Sequence, residues 1–156
     1  MNAKLGHARF LVFYFACGAI AGLLYFLLGH DGYMLGASGA VMGVAGIFLV
    51  LFPRNEIAWL WVQMTYVGVF HLATGWVILF YVVMDVVGAL FFREAGVAYL
   101  GHLFGAAVGF AAGSWLVLSG AVKSTPYEEN LFQTIGILPP APRKVRRRKV
   151  KVAPEE

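Results

Sequence analysis

The chain has 156 residues, 60% of them hydrophobic and only 13% charged, with a mean hydropathy of +0.76. A water-soluble domain carries about 45–50% apolar and about 25% charged residues, so an ordinary soluble protein is excluded and a polytopic membrane protein of one domain is described. The net charge of +4 is concentrated in the last residues, and a single cysteine, Cys17, excludes an intramolecular disulfide.

Lys4 and Arg9 precede an apolar stretch over 10–28, roughly the length needed to cross about 30 Å of hydrocarbon. A secretory signal has a shorter apolar region of about 7–15 residues, so this stretch is expected to be a retained helix, with Cys17 as a packing residue inside it. A short loop with His30 and Asp31 leads to a second run over 34–52. Backbone groups cannot stay unpaired in lipid, so runs of this kind are expected to be helices. The region 57–92 is too long for one span and is interrupted by Gln63, Thr65, His71 and Thr74-Gly75. The span is expected over 73–92. The preceding 57–72 is expected to be an interfacial or re-entrant segment, whose Trp59, Trp61 and Tyr66 suit the headgroup boundary and which takes His71 with it. A last run covers 97–118.

Beyond residue 122 the chain carries Pro126, Pro139, Pro140 and Pro142 and no sustained helical period. Residues 123–156 are expected to form a disordered tail. Its cluster Arg143-Lys144-Val145-Arg146-Arg147-Arg148-Lys149 reads as a topology signal in contact with anionic headgroups. No groove-reading motif accompanies it, so nucleic acid is not an expected partner. Four spans put both termini on one side, and Lys4, Arg9, Arg54 and the tail make that side cytoplasmic. The expected organisation is thus an all-α membrane helix bundle over 1–122 followed by the tail.

Two polar residues stand out within the spans. Ser38 lies in Gly36-Ala37-Ser38-Gly39, and His102 in Gly101-His102-Leu103-Phe104-Gly105. The second and fourth spans run in the same direction, with Ser38 about four residues into one and His102 about five into the other. At 1.5 Å per residue, both would lie roughly 6–8 Å below their helix start. Gly101, Gly105, Gly109 and Gly113 recur every fourth residue, and Gly39 and Gly43 repeat the spacing beside Ser38. Such small-residue stripes let helices approach closely in lipid, whether for packing alone or to carry imidazole to hydroxyl.

A serine is a weak nucleophile until a neighbouring base accepts its proton, and histidine suits that task. Free N–H groups at a helix N-terminus can meet a developing oxyanion, while Gly36, Ala37 and Gly39 allow a tight turn that an extended peptide can reach. The soluble-hydrolase elbow G-x-S-x-G is not matched. No cluster of Cys, His and carboxylates has ligand spacing, so neither a metal nor a cofactor is implied.

On these residues the chain resembles the rhomboid intramembrane serine proteases. The matching stretches are Leu5-Gly6-His7-Ala8-Arg9-Phe10, Gly36-Ala37-Ser38-Gly39-Ala40-Val41-Met42-Gly43-Val44-Ala45-Gly46, Leu51-Phe52-Pro53-Arg54, and Gly101-His102-Leu103-Phe104-Gly105 with Gly109. The resemblance covers about residues 4–118. It implies Ser38 as nucleophile and His102 as general base, a two-residue dyad that needs no aspartate, acting on transmembrane segments of other membrane proteins. It also implies about four helices of the family's six-helix core. The first two, which carry oxyanion-hole residues, are expected to be missing through truncation or a misplaced start; His7 cannot replace the missing histidine from the cytoplasmic side.

A second departure is Asp85, inside the third span where such proteins often carry a neutral amide. An intramembrane carboxylate points to function by default. With nothing aligning it in depth with Ser38, it reads as a partnered or protonated packing residue. The expected function is intramembrane proteolysis in the bacterial inner membrane. The alternative is a non-catalytic rhomboid-like protein that binds transmembrane helices, against which the presence of both dyad residues argues and for which the missing helices argue. A transporter would need more polar lining than Asp85 supplies.

Overall fold

The computed structural model describes residues 1–28, 36–63, 66–92, 98–125 and 128–140. Four helices make the bundle: α2 (His7–Leu27), α3 (Ser38–Leu51), α4 (Thr74–Phe91) and α5 (Tyr99–Leu118). A short α1 (Asn2–Leu5) precedes them. A hairpin of β1 (Glu56–Gln63) and β2 (Tyr66–Ala73) separates α3 from α4, and a single turn, α6 (Leu131–Thr134), follows α5. The protein is an integral membrane protein of mostly helical build.

The helices α2, α4 and α5 are long and apolar enough to cross a membrane. Leu11, Phe15, Leu23, Phe26, Trp76, Phe80 and Trp115 are exposed along them, as expected for side chains that face lipid rather than water. The helix α3 differs. It has only 14 residues, about 21 Å of rise, and it begins at Ser38 rather than near residue 34; residues 34 and 35 lie outside the described residues. It ends where Pro53 disfavours helical backbone at Phe52. Within the bundle α3 is central, packed on α2, on α5 and more lightly on α4.

The segment 57–72, expected to be interfacial or re-entrant, is an antiparallel hairpin. Glu56 pairs with Ala73 and Gln63 with Tyr66, and the stacked rings of Trp59 and Phe70 form a cross-strand pair 6.4 Å apart. β-Branched and aromatic residues favour strands, but here both faces are apolar and exposed: Trp59 and Trp61 on one, Leu60 and Val62 on the other. The missing polar alternation is why the sequence pattern does not announce a strand. Two strands alone leave their outer backbone groups unpaired, so the hydrocarbon interior does not suit the hairpin. Its base is pinned by Thr74, whose N–H and hydroxyl both donate to the Asn55 carbonyl at 2.6 and 2.7 Å.

The expected structureless tail also needs correction in its first part. After α5 the chain turns at Gly120, whose φ of 72° is the left-handed conformation that closes many helices. It then folds back over the end of the bundle. Leu131, Phe132 and Leu138 pack on the apolar cluster of Leu5, Ile47, Val50, Phe52 and Leu116. A capping box joins the backbone and side chains of Asn130 and Gln133, and buried Asn130 also donates to Ser124 at 2.7 Å. Lys4 meets Glu128 at 2.7 Å and Arg54 meets Glu129 at 3.0 Å. The prolines hid these apolar anchors, because three isolated residues at irregular spacing carry no helical period. Residues 141–156, including the basic cluster, lie outside the described residues.

The Lys4 ammonium, hydrogen-bonded to Glu128, holds that carboxyl below its ordinary value of 4.5. The folded state therefore gains from the ionised pair above that value and loses the gain as pH falls through the lowered one. Exposed pairs contribute at most about 1 kcal/mol, whereas truncating a packed phenylalanine costs about 3–5 kcal/mol when fully buried. Limited proteolysis of lipid-reconstituted protein should therefore find residues 123–140 cleaved much faster in Phe132→Ala than in Glu128→Gln. Wild type should lose protection as pH falls from neutral to the acid range below 4.5, and Glu128→Gln should lose less over the same range.

Candidate functional site

The approach of α3 to α5 is made by backbone meeting backbone. A Cβ on Gly105 would strike the carbonyl oxygen of Gly39 and lie 3.0 and 3.2 Å from its carbonyl carbon and Cα. One turn on, a Cβ on Gly109 would strike the carbonyl oxygen of Gly43 and lie 2.6 and 2.8 Å from the matching atoms. A further turn on, a Cβ on Gly113 would sit 3.1 Å from the Cα of Ile47. Both members of each pair advance together by one turn, so the two helices are parallel. Gly43 serves a second neighbour as well, since a Cβ there would strike Cys17 of α2. Cys17 is accordingly buried.

This register fixes the level of the two polar residues. Ser38, one residue before Gly39, stands level with Phe104, only two residues or roughly 3 Å of rise from His102. It is the first residue of α3 rather than the fourth or fifth. It gains its depth because α3 starts late, roughly 7.5 Å below the start of α5 by the same register. Ser38 is exposed, and His102 is partly buried with 19% of its side chain accessible. No hydrogen bond joins the two among the described residues, so the fold brings them to neighbouring levels on touching helices without closing the last gap.

The start of α3 has no cap. Ala37 occupies the N-cap position without a side-chain acceptor, and its carbonyl accepts from Val41 at 3.0 Å. The N–H groups of Ser38, Gly39 and Ala40 have no acceptor among the described residues. A helix start of this kind presents donors and the positive end of the dipole. Gly36, at φ 112°, holds backbone that residues with a Cβ rarely adopt, and it directs the chain into the turn. Beside the turn a groove of about 470 Å³ opens between α2 and α3, lined by Tyr14, Gly18, Gly36, Ala37, Gly39 and Ala40.

The pattern of residues alone did not bring Asp85 here. Its carboxylate Oδ1 lies 2.9 Å from Nδ1 of His102. The residue is buried, with 11% of its side chain accessible. The helices α4 and α5 run antiparallel, so Asp85 pairs in level with His102 while Gly88 pairs with Tyr99, whose ring leaves no room for a Cβ there. Counting back from the α4–α5 connection would have found this pairing, had the length of the connection been known. His30 falls outside the described residues. His71 lies on β2 and is exposed. Among the described residues, no group of three or more His, Cys, Asp or Glu could hold a metal.

The family model described as Rhomboid domain matches residues 1–119. No curated protein and no solved structure matches the chain.

If the α3–α5 contact sets the site, side chains at its glycines will disturb fold and site together. Gly109→Val should lower the unfolding midpoint, with a cost of at least about 1–3 kcal/mol for overpacking. Gly22→Ala is the control, since that position in α2 opens on free space. It should be neutral or stabilising by about 0.5–1 kcal/mol. Thermal denaturation of the purified variants in lipid nanodiscs orders them.

Proposed function

The chain belongs to the rhomboid family, and on that premise we propose that it is an intramembrane serine endopeptidase in which Ser38 is the nucleophile and His102 the general base. The observation that carries this reading is the backbone contact of Gly39 with Gly105, which sets a hydroxyl and an imidazole within one helical turn of each other in level.

The substrate is a transmembrane segment of another protein, entering in extended form beside the exposed turn at Gly36 and Ala37. His102 takes the Ser38 hydroxyl proton as Oγ attacks the scissile carbonyl carbon. The Ser38 N–H, with its uncapped neighbours in the first turn, donates to the oxyanion that forms. As the intermediate collapses, the C–N bond breaks and His102 returns the proton to the leaving amine. Water then attacks the acyl-enzyme with His102 again as base, releasing the acid and restoring the serine. Bases in free enzymes often stand beyond hydrogen-bond reach of their partners and close on them only with substrate bound, which suits the open Ser38–His102 gap. Lys4 and Arg54, gathered at the end of the bundle that holds both the first residues and residues 123–140, favour a cytoplasmic position for that end. Water and the scissile bond would then meet Ser38 from the opposite side of a bacterial inner membrane. Anionic headgroups would meet the basic cluster.

Reconstituted in lipid vesicles, the wild type should label covalently with a fluorophosphonate probe, and Ser38→Ala should not label at all. His102→Ala should slow labelling by about 10²–10⁴, the usual contribution of a general base. A folded wild type that never labels, yet crosslinks to a transmembrane peptide, would replace this reading with the non-catalytic binder.

A further inference from the structure

We propose that Asp85 is a positioning residue for His102, so that the Ser38–His102 pair works as a triad in which Asp85 orients the imidazole while the proton moves only between Ser38 and His102. The inference rests on the reading of Ser38 and His102 given above, and on a contact that reading does not use. Asp85 Oδ1 and His102 Nδ1 are 2.9 Å apart, a normal length for a charge-assisted hydrogen bond. Among the described residues, His102 is the only hydrogen-bond partner of this carboxylate.

A neutral imidazole carries one proton, and the nitrogen that holds it cannot accept another. A carboxylate facing Nδ1 accepts a hydrogen bond, so the proton is kept on Nδ1 and the lone pair is left on Nε2. That is the tautomer a base needs if Ser38 approaches from α3 while Asp85 holds the ring from α4. The same carboxylate stabilises the imidazolium that exists while His102 holds the serine proton. Asp85 itself neither gains nor loses a proton: the hydroxyl proton moves to Nε2, and from Nε2 to the leaving amine.

Burial strengthens the case. An ionised carboxylate in a membrane bundle is costly without a partner, and an apolar residue at position 85 would pack α4 on α5 without that cost. The neighbouring turn is built to hold the pair in register. Gly88 lets the Tyr99 ring lie against α4, where a Cβ would come within 2.6 Å of ring carbons, so a side chain at that position would move α5 and His102 with it.

The test uses the full chain in lipid vesicles, with two readouts. In fluorophosphonate labelling, Asp85→Asn and Asp85→Ala should slow the covalent step by between tenfold and the roughly 10⁴-fold that loss of the aspartate costs a serine-protease triad. Probe affinity should be unchanged, and Asp85→Glu should recover part of the rate. In ¹⁵N-histidine NMR, at a pH where the imidazolium signal has disappeared, wild-type His102 should carry its remaining proton on Nδ1. Asp85→Ala should move it towards Nε2. The near-isosteric Asp85→Asn keeps the test valid if Asp85→Ala fails to fold. Labelling rates equal to wild type in both variants would overturn the proposal, as would a wild-type His102 protonated on Nε2. A wild type that does not label overturns the protease reading instead, while the tautomer still reports on Asp85 directly.

Discussion

Everything positioned in this bundle depends on the contact of α3 with α5, where the carbonyls of Gly39 and Gly43 occupy the space a Cβ would need on Gly105 and Gly109. Lipid offers no hydrophobic incentive for helices to associate, because its tails are as apolar as their side chains. Close backbone approach supplies dispersion contact in its place, and it is available only where side chains are absent. The consequence is geometric as much as energetic. Two helices in backbone contact hold their register to within a fraction of a turn, so the level of Ser38 relative to His102 is set by glycines one residue and three residues away from them.

The central helix is also the short one, and the two facts belong together. A helix that crossed the whole membrane would place its N-terminus in the headgroups, where water satisfies the free N–H groups of the first turn. The late start of α3 puts Ser38 and those donors below the level at which α5 begins. In hydrocarbon, unsatisfied N–H groups cost several kcal/mol each. The turn at Gly36 and Ala37 is exposed and a groove opens beside it, which in the proposed chemistry is the route for water and for a substrate carbonyl. The same features that make the start of α3 a poor helix terminus make it suited to the proposed chemistry.

Much of this can be read from the residues, and the failures have physical causes. Apolar length locates α2, α4 and α5 within a few residues, because the bilayer imposes length directly. The four-residue glycine spacing is visible as well, since helical periodicity converts it into one face. The hairpin at 56–73 is not, because strands are recognised by alternation and these strands are apolar on both faces. The cap formed by Leu131, Phe132 and Leu138 is hidden in a proline-bearing, charged segment, because three anchors on an irregular path leave no period. The level of Asp85 is the most instructive case. It depends on where α4 ends and how far the connection to α5 reaches, and residue types do not state that.

That last case bears on how polar groups in a membrane bundle should be weighed. Taken singly, Ser38, Asp85 and His102 each have an ordinary explanation: a back-bonding hydroxyl, a protonated acid, a buried ring. Low dielectric makes those separate explanations expensive, since each leaves a polar group with less than it would have in water. Antiparallel α4 and parallel α3, both packed on α5, bring the three groups to neighbouring levels instead. His102 stands on the helix common to both. Its Nδ1 meets the carboxylate of Asp85 on α4, and Ser38 on α3 stands within one turn of its level. An imidazole with Nδ1 engaged by a carboxylate, and with no partner for Nε2 among the described residues, is arranged as the proposed proton transfer requires.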